Sequence, residues 1–208
     1  YTLTAVASDG INETSKEITI NITNVNDNAP VIESSVFSIE ENIQSIGTLI
    51  ASDADGDTLN FSITGNEILV DSSTGALVFS QPTDYENKQS YTATVSVSDG
   101  VFSTLKNISI NLINANDNSP KITSGDTFSA AENQTTIGTV VAEDADGDSI
   151  SFSVTGSNIN INTQSGVLTF ATAPDYESKS SYSAIVTATD GTFVWTQTIT
   201  INVVNLND

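Results

Sequence analysis

The chain has 208 residues, 26 of them acidic and 5 basic, giving a formal net charge of -21, and it contains no Cys, His or Met. Such a charge repels phosphate backbones and anionic membrane surfaces. The missing residue types take away disulfides, the usual zinc ligands and Ser–His or Cys–His nucleophilic catalysis, and no apolar run approaches the roughly 20 residues of a membrane helix.

The chain opens on Tyr1, Leu3, Ala5 and Ala7, alternating with polar residues; Ile18, Ile20 and Ile22 follow. Period-two alternation predicts two half-buried strands. Asn26-Asp27-Asn28 comes next, and then short strands near Ile46–Ala51, Leu59–Thr64, Ile68–Val70 and Ala76–Ser80. Turn signals such as Gly65–Asn66 and Thr74–Gly75 separate them. Tyr91, Ala93, Val95 and Val97 begin a further alternating strand, followed by Ile108, Ile110 and Leu112. The later pair is Tyr182, Ala184, Val186 and Ala188, then Ile199, Ile201 and Val203. No stretch carries helical periodicity.

The pattern is a repeat. SDG at Ser8–Gly10 recurs at Ser98–Gly100 and as TDG at Thr189–Gly191. NDN at Asn26–Asn28 recurs at Asn116–Asn118, and the sequence reaches Asn207–Asp208 in a third copy. Glu41–Asn42 recurs at Glu132–Asn133, DADGD at Asp53–Asp57 recurs at Asp144–Asp148, and DYE at Asp84–Glu86 recurs at Asp175–Glu177. Asp9 to Asp27, Asp99 to Asp117 and Asp190 to Asp208 are each 18 residues; Asp53 to Asp84 and Asp144 to Asp175 are each 31. A period of 90–91 residues with conserved spacing of acidic positions marks a tandem array. About seven short strands per period predict a Greek-key sandwich of immunoglobulin type.

The expected fold is therefore all-β: tandem seven-stranded sandwiches in a linear array, spanning residues 29–118 and 119–208. Residues 1–28 read as the last two strands of a preceding repeat. Two strands alone are marginal in water. Either a preceding repeat completes them, or they complete a sandwich supplied by another chain.

Oxygen-rich, nitrogen- and sulfur-poor motifs suit calcium. DADGD alone could open an EF-hand loop, but the twelfth position is Thr64 in one copy and Thr155 in the other. Taken in order, Glu41, Asp53–Asp55, Thr74–Leu77, Asp84–Glu86, Ser98–Gly100 and Asn116–Pro120 resemble the cadherin repeat. The second copy departs with Ser165-Gly166-Val167-Leu168, and DYE stands where the family has DRE. An additional Asp, at Asp57 and Asp148, follows each DxD. It stands where a backbone ligand of longer family loops is missing.

The resemblance implies calcium held at the junctions between repeats. At the central junction Glu41, Asp84 and Glu86 would serve with Asn116, Asp117, the carbonyls of Ala115 and Asn118, and Asp144, Asp146 and Asp190. The first junction would use Asn26, Asp27, Asn28, Asp53, Asp55 and Asp99; the far one would use Glu132, Asp175, Glu177 and Asp208. Two unit charges 4 Å apart repel by roughly 4 kcal/mol at an effective dielectric of 20, so cations are needed to hold such sets together.

The implied function is a calcium-rigidified extracellular spacer or adhesion segment of a large prokaryotic surface protein, partnered by neighbouring repeats. Alternatives are an extracellular filament with strand exchange and a carbohydrate-binding module, for which Tyr85 and Tyr176 are the candidate stacking residues. Acidic pairs recurring at a fixed period argue against an enzyme. Trp195 is expected to pack. Sequons stand at Asn12, Asn21, Asn60, Asn107 and Asn133.

Overall fold

A computed structural model of the chain describes residues 1–207. The chain separates into two compact units: residues 1–83 with 90–112, and residues 84–89 with 113–208. All regular structure in both is β.

The first unit begins with β1 (Thr2–Ser8) and β2 (Glu13–Thr19), an antiparallel hairpin in which Leu3 faces Ile18. Every residue of the hairpin is exposed. The alternation is present, but no opposing sheet buries its apolar side. Beyond Asn28 come β3 (Val31–Ile32), β4 (Val36–Glu40), β5 (Ser45–Thr48), β6 (Ala51–Ser52), β7 (Asn60–Ile63), β8 (Ile68–Val70), β9 (Ala76–Phe79), β10 (Ser90–Ser98) and β11 (Ser103–Ile113). One sheet runs β4-β11-β10-β7 and the other β5-β9-β8, with β3 and β6 as a small accessory pair. Leu77 and Phe79 on β9 are fully buried, as are Val95 and Val97 on β10 and Ile110 on β11. Burying each such side chain contributes roughly 1.5–3 kcal/mol. The Phe79 ring lies 4.9 Å from that of Tyr91.

The second unit repeats this plan with β12 (Lys121–Ile122), β13 (Thr127–Ala131), β14 (Thr136–Thr139), β15 (Ala142–Glu143), β16 (Ser151–Val154), β17 (Ile159–Ile161), β18 (Val167–Phe170), β19 (Ser181–Thr189) and β20 (Val194–Val204). Its sheets run β13-β20-β19-β16 and β14-β18-β17. β13 lies parallel to β20, from Thr127 opposite Thr200 to Ala131 opposite Val204. Leu168 and Phe170 pack with Val186, Ala188, Ile199 and Ile201 in one core.

Two features fix the sheet corners. Gly166 takes φ +69°, and a Cβ there would stand 2.2 Å from the Val140 carbonyl oxygen, so only glycine fits. Asn42 and Asn133, each after the motif glutamate, take φ of 61° and 64°. Asn is among the few side chains that tolerate this left-handed region.

Trp195 begins the long β20 opposite Ala188 and remains 39% exposed. It caps the strand end more than it fills the core.

Candidate metal centres

In the first unit the DADGD segment turns on Gly56, whose φ is +79°. Asp53 Oδ1 accepts the N–H of Asp55 at 2.9 Å and that of Asp57 at 3.4 Å. Carboxylate oxygens of Asp53, Asp55 and Asp57 then lie within 4.8 Å of one another. Asp55 reaches the NDN segment: its Oδ2 accepts the N–H groups of Asp27 at 3.0 Å and Asn28 at 2.8 Å, and its Oδ1 accepts Asn28 Nδ2 at 2.9 Å. Asn24 Nδ2 donates to the Asp55 carbonyl at 2.7 Å. These bonds, the Asn28 N–H foremost, hold the Asp55 carboxyl below its usual range.

Asp99 sits in the turn between β10 and β11 and is acceptor to the N–H groups of Val101 at 2.7 Å and Phe102 at 2.6 Å through Oδ1. Burial pushes its carboxyl up, but those two donors and the Asn26 side chain outweigh it and leave it lowered. Asp57 goes the other way. Burial, then the charges of Asp53, Asp55 and Asp99, raise its carboxyl.

The same construction recurs in the second unit. Asp146 Oδ2 accepts the N–H groups of Asp117 at 3.1 Å and Asn118 at 2.8 Å, and Oδ1 accepts Asn118 Nδ2 at 2.8 Å. Asn114 Nδ2 donates to the Asp146 carbonyl at 2.7 Å. Asp144 Oδ1 accepts the N–H groups of Asp146 and Asp148 at 3.0 and 3.3 Å. Carboxylate oxygens of Asp144, Asp146 and Asp148 form one cluster, and those of Glu86, Asp117 and Asp146 another, each within 4.8 Å. Asp190 Oδ1 accepts from Thr192 and Phe193, both at 2.6 Å. Burial raises this carboxyl; the two donors and the Asn116 side chain lower it by more.

A further cluster joins Glu132, Asp175 and Glu177. Glu132 is only 2% exposed, and its two oxygens accept the N–H of Tyr176 at 2.8 Å and of Leu206 at 2.6 Å. Asn205 Nδ2 donates to Glu177 Oε1 at 2.9 Å. Asp208 lies outside the described residues. Glu41 is likewise 2% exposed, in the first unit, whereas Asp84, Glu86 and Ala115 belong to the second.

Several acceptors in these loops have no donor. Asp53 Oδ2, Asp57 Oδ2, Asp99 Oδ2 and Asn26 Oδ1 are buried and unpartnered in the first unit; Asp144 Oδ2 and Asp190 Oδ2 are so in the second. Buried oxygens without a partner are costly. Acceptor-only oxygens crowded together fit a hard cation. The chain's residues therefore form acidic clusters able to hold a metal, and the donor set is all oxygen.

Sequence reasoning missed Asn24 and Asn114. The signal was there, in NVNDN at Asn24–Asn28 and NANDN at Asn114–Asn118, a five-residue motif read only for its last three positions.

Residues 126–204 match the family model for the cadherin domain, and residues 26–111 match that for a bacterial Ig domain. Human protocadherin Fat 1 is 30% identical over 222 residues, covering 92% of this chain and 5% of that protein. Mouse cadherin-23 is 30% identical over 246 residues, covering all of this chain and 7% of that protein. The solved structure of human protocadherin-24 EC1-2 superposes with a TM-score of 0.77 at 20% identity, covering 88% of this chain and all of that one. This chain is a tandem of cadherin-like repeats. The chain spans under a tenth of the length of these two curated relatives. As a cadherin-like module it is an extracellular, cell-surface adhesion element and not an enzyme. The cadherin-like sandwich and the tandem organisation read from the repeat are both present. No helix among the described residues is long and apolar enough to cross a membrane.

Proposed function

We propose that this chain is a calcium-stiffened spacer or adhesion segment of a large prokaryotic surface protein, with calcium as the ion of its acidic clusters. The observation that carries this reading is the set of buried, donorless oxygens at Asp53, Asp99, Asp144 and Asp190, each in a loop whose other oxygens are already satisfied by backbone N–H groups. Bound calcium supplies the positive charge that such oxygens lack. The ligand set we assign is Asn26, Asp27, Asn28, Asp53, Asp55 and Asp99 for the first centre; Glu41, Asp84, Glu86, Asn116, Asp117, Asp144, Asp146, Asp190 and the carbonyls of Ala115 and Asn118 for the second; and Glu132, Asp175 and Glu177 for the third.

The stiffening follows from who holds the tether. Asp146 already clasps the N–H groups of Asp117 and Asn118, so fixing the Asp144–Asp146 loop fixes the connecting segment. We assign the repeats to residues 29–118 and 119–208. Residues 1–28 are assigned to the end of a preceding repeat, because β1 and β2 pair around Asp9 as β10 and β11 pair around Asp99. The bacterial Ig match over residues 26–111 favours a prokaryotic parent. Affinities of roughly 10⁻⁴–10⁻³ M suit extracellular modules of this kind.

The test is small-angle scattering in calcium and in excess EDTA. Chelation should shorten and broaden the distance distribution while far-UV dichroism stays β. An unchanged maximum dimension overturns the stiffening; absence of calcium uptake in calorimetry overturns the reading as a whole.

A second reading, strand exchange in a filament, is favoured by one observation: the hairpin β1–β2 leaves Leu3, Ile18 and Ile20 exposed. Electron microscopy would show continuous threads with a repeating subunit if it holds, and isolated rods if it does not.

A further inference from the structure

We propose that Asp57 is itself a metal ligand, its Oδ2 closing the first-unit centre opposite Asp53, Asp99 and Asn26. This rests on the calcium reading above and adds a residue to it. The turn at Gly56 takes φ +79°, which brings the backbone of Asp57 under Asp53 Oδ1 and swings its carboxylate back toward the loop. A carboxylate oxygen of Asp57 comes within 4.8 Å of those of Asp53 and Asp55. Asp57 Oδ2 is buried and has no hydrogen-bond donor, as do Asp53 Oδ2, Asp99 Oδ2 and Asn26 Oδ1. Four acceptor oxygens without a donor form an incomplete coordination sphere; a calcium ion takes 6–8.

The other way to satisfy these oxygens would be an ammonium group. The chain has only five basic residues. Lys106 is committed to the carbonyls of Ile32 at 2.7 Å and Glu33 at 3.0 Å, and Lys179 lies over the Tyr182 ring. A hard divalent cation remains the fitting partner. A solvated surface aspartate would have turned outward from three like charges; this one keeps an oxygen buried among them. DADGD therefore acts as three ligands and a glycine hinge, with Asp57 in the place of a backbone carbonyl from a longer loop.

The test is a calcium titration of the whole chain followed by ¹⁵N–¹H resonances, which reads each loop separately. In Asp57→Asn the midpoint for the resonances of Asp55 and Asp99 should move to roughly ten-fold higher calcium or beyond, while that for Asp146 and Asp190 stays in place. Asp57→Ser is the second variant; it preserves the backbone bond to Asp53 and should move the same midpoint. Unmoved midpoints in both variants, with the wild-type loop still titrating, overturn the role of Asp57 alone. A wild-type chain whose loops do not titrate overturns this inference and the calcium reading together.

Discussion

Glu132 accepts the N–H of Tyr176 through one oxygen and that of Leu206 through the other. A glutamate chosen for a cation thus also closes two loops of its own sandwich. Glu132→Ala would leave two buried donors unanswered, at a cost of roughly 2–4 kcal/mol. The loss should appear in urea unfolding even in calcium-free buffer, which separates this task from metal binding. Asp71 is the purer structural acid. Its Oδ1 accepts the N–H and hydroxyl groups of both Ser73 and Thr74, and these bonds, that from the Ser73 hydroxyl first, hold its carboxyl far below the usual range. A depressed acid contributes stability above its unfolded pKa and loses it as pH falls toward its folded one. The stability difference between wild type and Asp71→Asn should therefore be present at pH 7 and shrink as pH falls below about 4. Asn162, at the same place in the second unit, accepts from Gln164 and Ser165 with no charge, so the asparagine variant keeps the turn. Residue identities at the acidic loops were legible because the motifs recur at fixed spacing. Which oxygen is left without a donor was not, since it depends on where each N–H of the turn points.

Among the elements, the long strands were legible and the short ones were not. β10 and β19 alternate cleanly, and Val95, Val97, Val186 and Ala188 are fully buried as the alternation requires. β3, β6, β12 and β15 have two residues each, too few for a period to register. The expected strand over Ile46–Ala51 is two strands, β5 and β6, with a register shift at Gly47 in the pairing of β5 with β9. The hairpin β1–β2 carries the same alternation as β10–β11 yet buries nothing, because burial needs a second sheet that a local pattern cannot supply. The turns before β9 and β18 differ in their tolerance. Gly166→Ala drives a Cβ into the Val140 carbonyl, whereas at Gly75 the closest atom would be the Phe61 ring at 3.1 Å, with the Leu49 carbonyl at 3.2 Å. Backbone cannot step aside as a ring can. Thermal unfolding should show Gly166→Ala as the more damaging change, by about 3 kcal/mol or more, with Gly75→Ala costing about 1–2 kcal/mol.

At the scale of the molecule, a net charge of -21 opposes compaction throughout. Calcium should raise the unfolding temperature well beyond what sodium chloride of equal ionic strength achieves, because screening acts on the whole surface while ligation adds about 2.7 kcal/mol per site at a hundredfold excess over Kd. Differential scanning calorimetry in paired buffers checks this; equal shifts would leave only screening.

The parallel pairing of β13 with β20 has a consequence under tension. β13 lies near the start of its repeat and β20 at its end, and both point the same way across five residue pairs. Pulling the two ends of the repeat apart slides one strand along the other and strains their shared hydrogen bonds together, so none opens first like the teeth of a zipper. A segment anchored at one end and loaded at the other would resist such a pull by shear.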